Sequence, residues 1–513
     1  MSKEKFYRNS LMMSAVVFVS RIFGFVRDMI TAAFFGTSTV SDAYFAAFRI
    51  PNTLRSLLGE GAFNSAFIPL YSDYIAAGDR KKQALFLGNV LVRFSFVLFV
   101  LSLCFMLFSK EIILFISFLA PEKEAFIELA ARLLKVTSWY LLLVGLASFF
   151  MAIQQANDSF AKAAAGQIVF NIGFIAVLLL LFRINDDLKR VYVASFGVIA
   201  AGLCQMAYQM NEVIRLKVPF MLNLKHENHS MKRLLRIMAP AIFGQAIIEI
   251  NLLADSIFAL LISTGAVTAL YYASRIMQLP IGIFSVSIAT VSLTIFSKNI
   301  ARNESIREGL NTSIKSLSYI ILPVTSYLIG GGLYIIRILF ERGNFTYESS
   351  AHTAALLLYF SMGIIFFSFV KLFAQIFYAH KSVKYPVIFT SVSMILNIEF
   401  VMIFTRYLGA GGIALATSLS TAVNFTLLYA YSEKFYGLKP DFTPFFKLLP
   451  IAVSVSLLLL FLRGPIEGLI PIKHVFLKNV LMAGIYFILN LLPYFILIKP
   501  SDILAFRKRM QNT

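Results

Sequence analysis

Charge is scarce in this sequence. Of its 513 residues, 14% are Asp, Glu, Lys or Arg and 59% are hydrophobic. A soluble globular chain carries about 25% charged and about 45–50% apolar residues, so a soluble domain is excluded. Cysteine is scarcer: Cys104 and Cys204 are the only two. Both fall inside apolar runs and read as small buried hydrophobes. No disulfide framework and no CxxC metal motif exists. The five histidines are dispersed; His226 and His229 fall in a polar loop, and His352, His380 and His474 are isolated. HExxH, GxSxG, Walker A and paired-aspartate motifs are all missing. The chain therefore reads as no enzyme, and ATP-driven transport by it alone is excluded. A membrane glycosyltransferase would need catalytic carboxylates and a long extramembrane loop, and the connections here are short.

Long apolar runs fill the space that charge leaves. A membrane-crossing helix needs about 20 apolar residues, and only helices or closed barrels satisfy their backbone in lipid. Barrel strands alternate in polarity, which these runs do not. The fold class is therefore all-α: a polytopic membrane protein of about fourteen spans. The expected spans are 10–35, 42–75, 83–109, 126–156, 159–183, 190–217, 233–263, 267–297, 312–340, 350–379, 385–408, 411–435, 444–463 and 475–498. The first lacks a signal-peptidase-like site and reads as a retained span. A net charge of +20 would suit nucleic acid. The cations, however, sit in short loops on alternate sides, as the positive-inside rule requires. Arg80–Lys82, Lys217, Arg233, Arg302, Lys381 and Lys434 mark inside loops, so both termini are expected in the cytoplasm and no nucleic acid as partner.

One stretch, residues 20–69, breaks the apolar pattern. It carries Arg21, Arg27, Asp28, Asp42, Arg49, Arg55 and Glu60. A charge at mid-bilayer costs about 2.5–3.5 kcal/mol and normally faces a bundle interior or a wet cavity. Arg21, Gly24 and Asp28 share one helical face, which allows an Arg21–Asp28 pair; Gly24 admits a close neighbour or a bend. Pro51 removes a backbone donor and disfavours helix at Ile50, so a break is expected there, ringed by Arg49, Asn52 and Arg55. Arginine suits phosphate because its planar fork donates two parallel bonds. These residues are expected to line a polar cavity for an anion.

The stretch has an echo. A shift of 227 residues superposes Asp28 on Asp255, Ile30 on Ile257, Ala32 on Ala259, Thr37 on Thr264, Val40 on Val267, Tyr44 on Tyr271 and Ala46 on Ala273. With a small gap, FRIPN (48–52) echoes SRIMQLP (274–280), so Arg275 and Pro280 answer the first lobe's arginines and proline. An offset of six spans keeps orientation and makes two parallel six-helix repeats, a common transporter plan. The expected lobes are 1–218 and 219–440. Two extra spans in 441–513 stand outside the repeat.

SRIFGFVRD, SDAYFAAFRIPNTLR, EGAFNSAFIP, YYASRIMQLPIGIF and GGIALATSLS resemble signature segments of the MurJ/MviN lipid II flippases, in the multidrug/oligosaccharidyl-lipid/polysaccharide exporter superfamily. The likeness covers essentially the whole chain. It implies a bacterial inner-membrane protein, expected as a monomer, that carries undecaprenyl-diphosphate-linked disaccharide-pentapeptide from the cytoplasmic to the periplasmic leaflet by alternating access. The alternative is export of another lipid-linked oligosaccharide or a drug; an arginine-lined cavity fits a cationic drug badly. The resemblance carries substrate binding onto Arg21, Arg27, Asp28, Asp42, Asn52, Arg55, Glu60 and Arg275. Gly24, Pro51 and Pro280 would shape the cavity, and the last two spans would form a groove for the lipid tail in contact with membrane lipids. Ser274 stands where the family often has Asp. Some members bind sodium, and Asp255, Asn397 and Thr417 match those positions, but Val401 replaces an expected acid. No other cofactor is implied.

Overall fold

In a computed structural model, residues 3–56, 62–117, 124–221, 228–469, 472 and 474–497 are described. Glu60 lies outside them. The described residues hold helices and no strand. In order they are α1 (Lys3–Phe35), α2 (Thr39–Leu54), α3 (Ala62–Ala76), α4 (Arg80–Leu107), α5 (Ser109–Ile116), α6 (Glu124–Thr137), α7 (Trp139–Ala156), α8 (Phe160–Leu180) and α9 (Asp187–Arg215). Then follow α10 (Asn228–Ile262), α11 (Ala266–Pro280), α12 (Val286–Ala301), α13 (Arg307–Phe340), α14 (Tyr347–Ala379) and α15 (Lys384–Leu408). The chain ends in α16 (Ala410–Tyr436), α17 (Thr443–Phe461), α18 (Arg463–Leu469) and α19 (Val475–Leu497).

Eleven stretches among the described residues are helical, long and apolar enough to cross a membrane. The α1 helix, the α2–α3 pair and α10 cover the remaining expected segments. Their outward faces are apolar: Phe96, Phe115, Phe461 and Ile496 are 66%, 75%, 78% and 78% exposed. Apolar surface on that scale has to meet lipid, so the chain is a polytopic α-helical membrane protein. Cys104 and Cys204 lie on this exposed surface. The expectation of burial was wrong because, in lipid, an apolar run can face outward at no cost.

Local signals start the helices. Asp79 accepts from the Lys81 and Lys82 amides at 3.1 and 3.0 Å and caps α4. Asp186 does the same for α9, and Ser38 takes the Ser41 amide at 3.2 Å for α2. Such caps answer the orphan donors of a helix's first turn.

The helices form two compact units. One runs through Thr268 and includes Arg342–Phe345; the other holds Ala269–Glu341 and the chain from Thr346 onward. The expected lobe boundary at 218 differs from this division. The α10 helix belongs to the first unit because Leu234 and Met238 enter an aromatic core of Phe63, Phe67, Tyr71, Phe86 and Phe149 from α3, α4 and α7. In the second unit α19 lies along α13 through polar rungs. Asn490 Nδ2 donates to the Pro323 carbonyl at 2.9 Å, Ser326 Oγ donates to Asn490 Oδ1 at 2.6 Å, and Tyr327 Oη donates to the Ala483 carbonyl at 3.1 Å.

Candidate functional site

The first unit gathers most of the charges singled out by sequence. The α1 helix is continuous through Gly24, without a break. Asp28 takes its ion pair from Arg27, its chain neighbour: Nη2 and Nε lie 2.7 and 3.0 Å from Oδ1. Arg27 Nη1 donates to Asn171 Oδ1 on α8 at 3.2 Å, and Asn171 Nδ2 donates to the Ser20 carbonyl at 3.1 Å. The Arg27 and Asp28 side chains are 12% and 8% exposed. Arg27 is thus held from two sides, with its fork oriented before any ligand arrives. Arg21 is exposed, and among the described residues it pairs with no carboxylate.

Helix α2 continues through Pro51, where the sequence predicted a break. Proline at 51 deprives the Ala47 carbonyl of its usual donor. The Thr137 hydroxyl on α6 donates to that carbonyl instead, at 3.3 Å, which is how a membrane helix tolerates proline. The irregularity comes later: at Arg55 and Ser56, the last described residues of this segment, the backbone leaves the α-helical pattern for a π-type one. Arg55 Nε donates to Asn52 Oδ1 at 3.0 Å. Arg49 donates to Ser256, and Ser56 donates to Glu249; both acceptors are on α10. The four residues Arg49, Arg55, Ser56 and Glu249 are half-buried.

Asp42 has a structural task. It is 2% exposed and accepts from the Gly265 amide at 2.6 Å, the Thr268 amide at 3.0 Å and the Thr268 hydroxyl at 2.7 Å. A carboxylate at a helix's first turn satisfies orphan donors and meets the positive end of the dipole. Asp42 also borders an open cleft of about 220 Å³ with Thr39, Glu124, Leu260 and Thr264. Nearby, Asn344 closes the end of α1: its amide and Nδ2 donate to the Ala33 and Phe34 carbonyls at 2.8 and 2.7 Å. Gly343 makes that approach feasible, with φ +57° and a position where a Cβ would stand 2.3 Å from the Ala33 oxygen.

In the second unit, Arg275 lies over the Tyr271 ring, 4.9 Å from its centroid, and donates to its hydroxyl at 2.9 Å. A π-type turn, Ile281–Ser285, follows Pro280. Helices α2 and α11 thus both carry a proline and are followed by π-type backbone, and their first residues, Thr39 and Ala266, keep the offset of 227. Asn397 Nδ2 donates to Thr417 Oγ1 at 3.3 Å and to Ser420 Oγ at 3.4 Å. Thr417 and Asn397 are hard oxygen ligands in type, but Val401 is buried and adds no carboxylate. Asp255 is buried in the first unit. Among the described residues no three His, Cys, Asp or Glu side chains gather to hold a metal; sodium also accepts neutral oxygens of the Asn397 and Thr417 kind, and no step is routed through it.

Sequence reasoning found the charges and missed Asn171 and Ser256, which partner two of them, and Glu249, Thr137 and Asn344, which bind Ser56 and the carbonyls of α1 and α2. Glu249 alone had a usable signal, an acid inside an apolar run.

Long lipid-facing helices around oriented arginines define a multi-pass membrane transporter. The fold is shared with an inward-facing multidrug resistance MATE family transporter of the MOP superfamily, at TM-score 0.69 and 13% identity over 83% of this chain and 97% of that one. Residues 31–484 match the family model for the lipid II flippase MurJ, and the chain belongs to that family. It is 32% identical over 454 residues to the probable lipid II flippase MurJ of Buchnera aphidicola subsp. Acyrthosiphon pisum (strain APS), covering 87% of this chain and 88% of the relative. The corresponding protein of Aquifex aeolicus (strain VF5) is 31% identical, with 83% of each covered. A solved lipid II flippase MurJ in an inward closed conformation superposes at TM-score 0.78 and 27% identity, over 95% of this chain and all of that one. Family and helices together make this a multi-pass protein of the bacterial inner membrane.

Proposed function

We propose that the protein moves lipid II, an undecaprenyl diphosphate bearing a disaccharide-pentapeptide, from the cytoplasmic to the periplasmic leaflet. Family membership supports the substrate. The observation that carries the mechanism is the Arg27 guanidinium, 12% exposed within a membrane helix and held by Asp28 and Asn171. An oriented cation of this kind suits a phosphate that loses water on entry.

In the proposed cycle, Arg21, Arg27, Arg55 and Arg275 bind the diphosphate and the adjoining sugar, and Asn52 and Glu60 contribute to substrate binding. The two repeats, spans 1–6 and 7–12, rock about the headgroup while the polyprenyl tail stays in lipid along spans 13–14. Both termini are cytoplasmic, and the protein works as a monomer. Membrane potential or an ion drives the return step; each elementary charge moved through 100 mV is worth about 2.3 kcal/mol.

Arg27→Ala tests the reading. Charge-assisted bonds are worth about 1.5–3 kcal/mol each, so losing the contact should slow headgroup translocation by about a hundredfold or more. Membrane levels should hold. Unimpaired periplasmic exposure of the precursor in a flippase-depleted cell complemented by the variant would sink the reading.

A further inference from the structure

Two rungs join α2 to α10 inside the first unit. Arg49 donates to Ser256, and Ser56 donates to Glu249. Each helix contributes residues seven apart, in antiparallel order, so the rungs stand about 10 Å apart along the axis. Between them lie Pro51, Asn52 and Arg55. The second rung falls on Ser56, immediately after Arg55, where the backbone becomes π-type. Ser56 Oγ also lies 2.8 Å from the Thr53 carbonyl, so its single proton is shared between that carbonyl and Glu249, and both acceptors hold the hydroxyl in place. Such π bulges recur at functional sites. An acid in a membrane helix is costly to keep, whereas an ordinary interhelical hydrogen bond needs only a neutral acceptor and is worth about 0.6 kcal/mol on average. A carboxylate at this rung calls for a use beyond packing.

We infer that Glu249 is a positioning residue for Arg55. By holding Ser56 it fixes the π-type backbone at Arg55 and Ser56, and that backbone together with Asn52 aims the Arg55 guanidinium at the diphosphate. The inference rests on the assignment of Arg55 to that headgroup.

Full-length protein in detergent, titrated calorimetrically with inorganic pyrophosphate, tests the aim of Arg55 without requiring transport. Glu249→Ala and Ser56→Ala should each weaken binding about tenfold, as should Arg55→Ala. The double variant Glu249→Ala/Arg55→Ala should bind no more weakly than Arg55→Ala, because the acid acts through the arginine. Glu249→Gln keeps an acceptor for Ser56 and should recover binding to within about threefold of the unsubstituted protein. Thermal melting of each variant separates loss of aim from loss of fold. Multiplying losses in the double variant, unchanged binding in Glu249→Ala, a glutamine as damaging as alanine, or no pyrophosphate binding by the unsubstituted protein would each overturn the inference. Transport of lipid II in proteoliposomes is measured in parallel. If it is absent while the pyrophosphate pattern holds, the substrate assignment falls and the positioning role stands.

Discussion

Replacing Asp42 by Ala should loosen the turn it caps by an amount that its hydrogen bonds set. The carboxylate serves three donors, the Gly265 amide, the Thr268 amide and the Thr268 hydroxyl. Thr268 is fully buried. Loss of a cap costs about 0.5–2 kcal/mol, and each buried donor left unpaired costs about 1–3 kcal/mol. The sum is reduced by water, because the adjacent cleft of about 220 Å³ is roomy enough to hydrate some of the donors. A net loss of about 3 kcal/mol follows, equivalent to somewhat over a hundredfold in local opening. Asp42→Asn keeps one acceptor oxygen and loses the charge, so about 1–2 kcal/mol, or roughly tenfold, is expected. Hydrogen–deuterium exchange read by mass spectrometry on peptides spanning 263–275 measures it directly. Protection should fall in the order unsubstituted, Asn, Ala. Unchanged exchange of the 265–268 amides in Asp42→Ala would refute the capping role.

Three other expectations are independent of that one. Thr137→Val strands the Ala47 carbonyl beneath Pro51 and should cost about 1 kcal/mol of stability; Pro51→Ala restores a backbone donor, so the double variant should recover most of the loss in a thermal melt. Gly343→Ala places a methyl 2.3 Å from the Ala33 oxygen at φ +57°; the melting temperature should drop, and Asn344→Ala added to it should cost little more because the same seam is already displaced. The Lys82 amide, followed by the Lys82 ammonium, holds the Asp79 carboxyl below its usual range. Its stabilisation is therefore present above the unfolded value of about 3.9 and is lost as pH falls through the lower folded value. The melting-temperature gap between the unsubstituted protein and Asp79→Asn should persist at pH 6 and close progressively below about pH 4.

The transmembrane plan was legible because lipid leaves a chain so few choices. A run of about 20 apolar residues has to be helix, and the helices fall on the expected segments even where prolines interrupt them. The error at Pro51 shows where such reasoning stops. Proline's effect on its own helix is local and readable from residues 47–51. The repair comes from Thr137, on another helix and far along the chain, and nothing in the residues around Pro51 announces it. The same limit applies to α10. Its likeness to α1 groups it with the second repeat, whereas packing of Leu234 and Met238 against Phe63 and Phe67 groups it with the first compact unit. Sequence similarity records common origin, and compaction records where apolar faces meet.

In the site, legibility tracked energetic cost. Arg27, Asp28, Asp42 and Arg55 stand out because each charge in a span costs about 2.5–3.5 kcal/mol and needs a reason. Asn171, Ser256 and Thr137 incur far smaller penalties, since interhelical hydrogen bonds by neutral side chains are common and worth about 0.6 kcal/mol. They blend into the many serines, threonines and asparagines of these helices. Yet Asn171 and Thr137 decide what the charged and broken elements do: one orients a guanidinium, the other keeps a helix intact through a proline. Asp42 shows a further form of compensation. Its charge stood out in the sequence, and the fold brings three protein donors to its oxygens. A rare charge in a membrane helix therefore marks a place where something must compensate it. Whether the compensation is a ligand or the protein's own backbone depends on which donors the fold brings within about 3 Å.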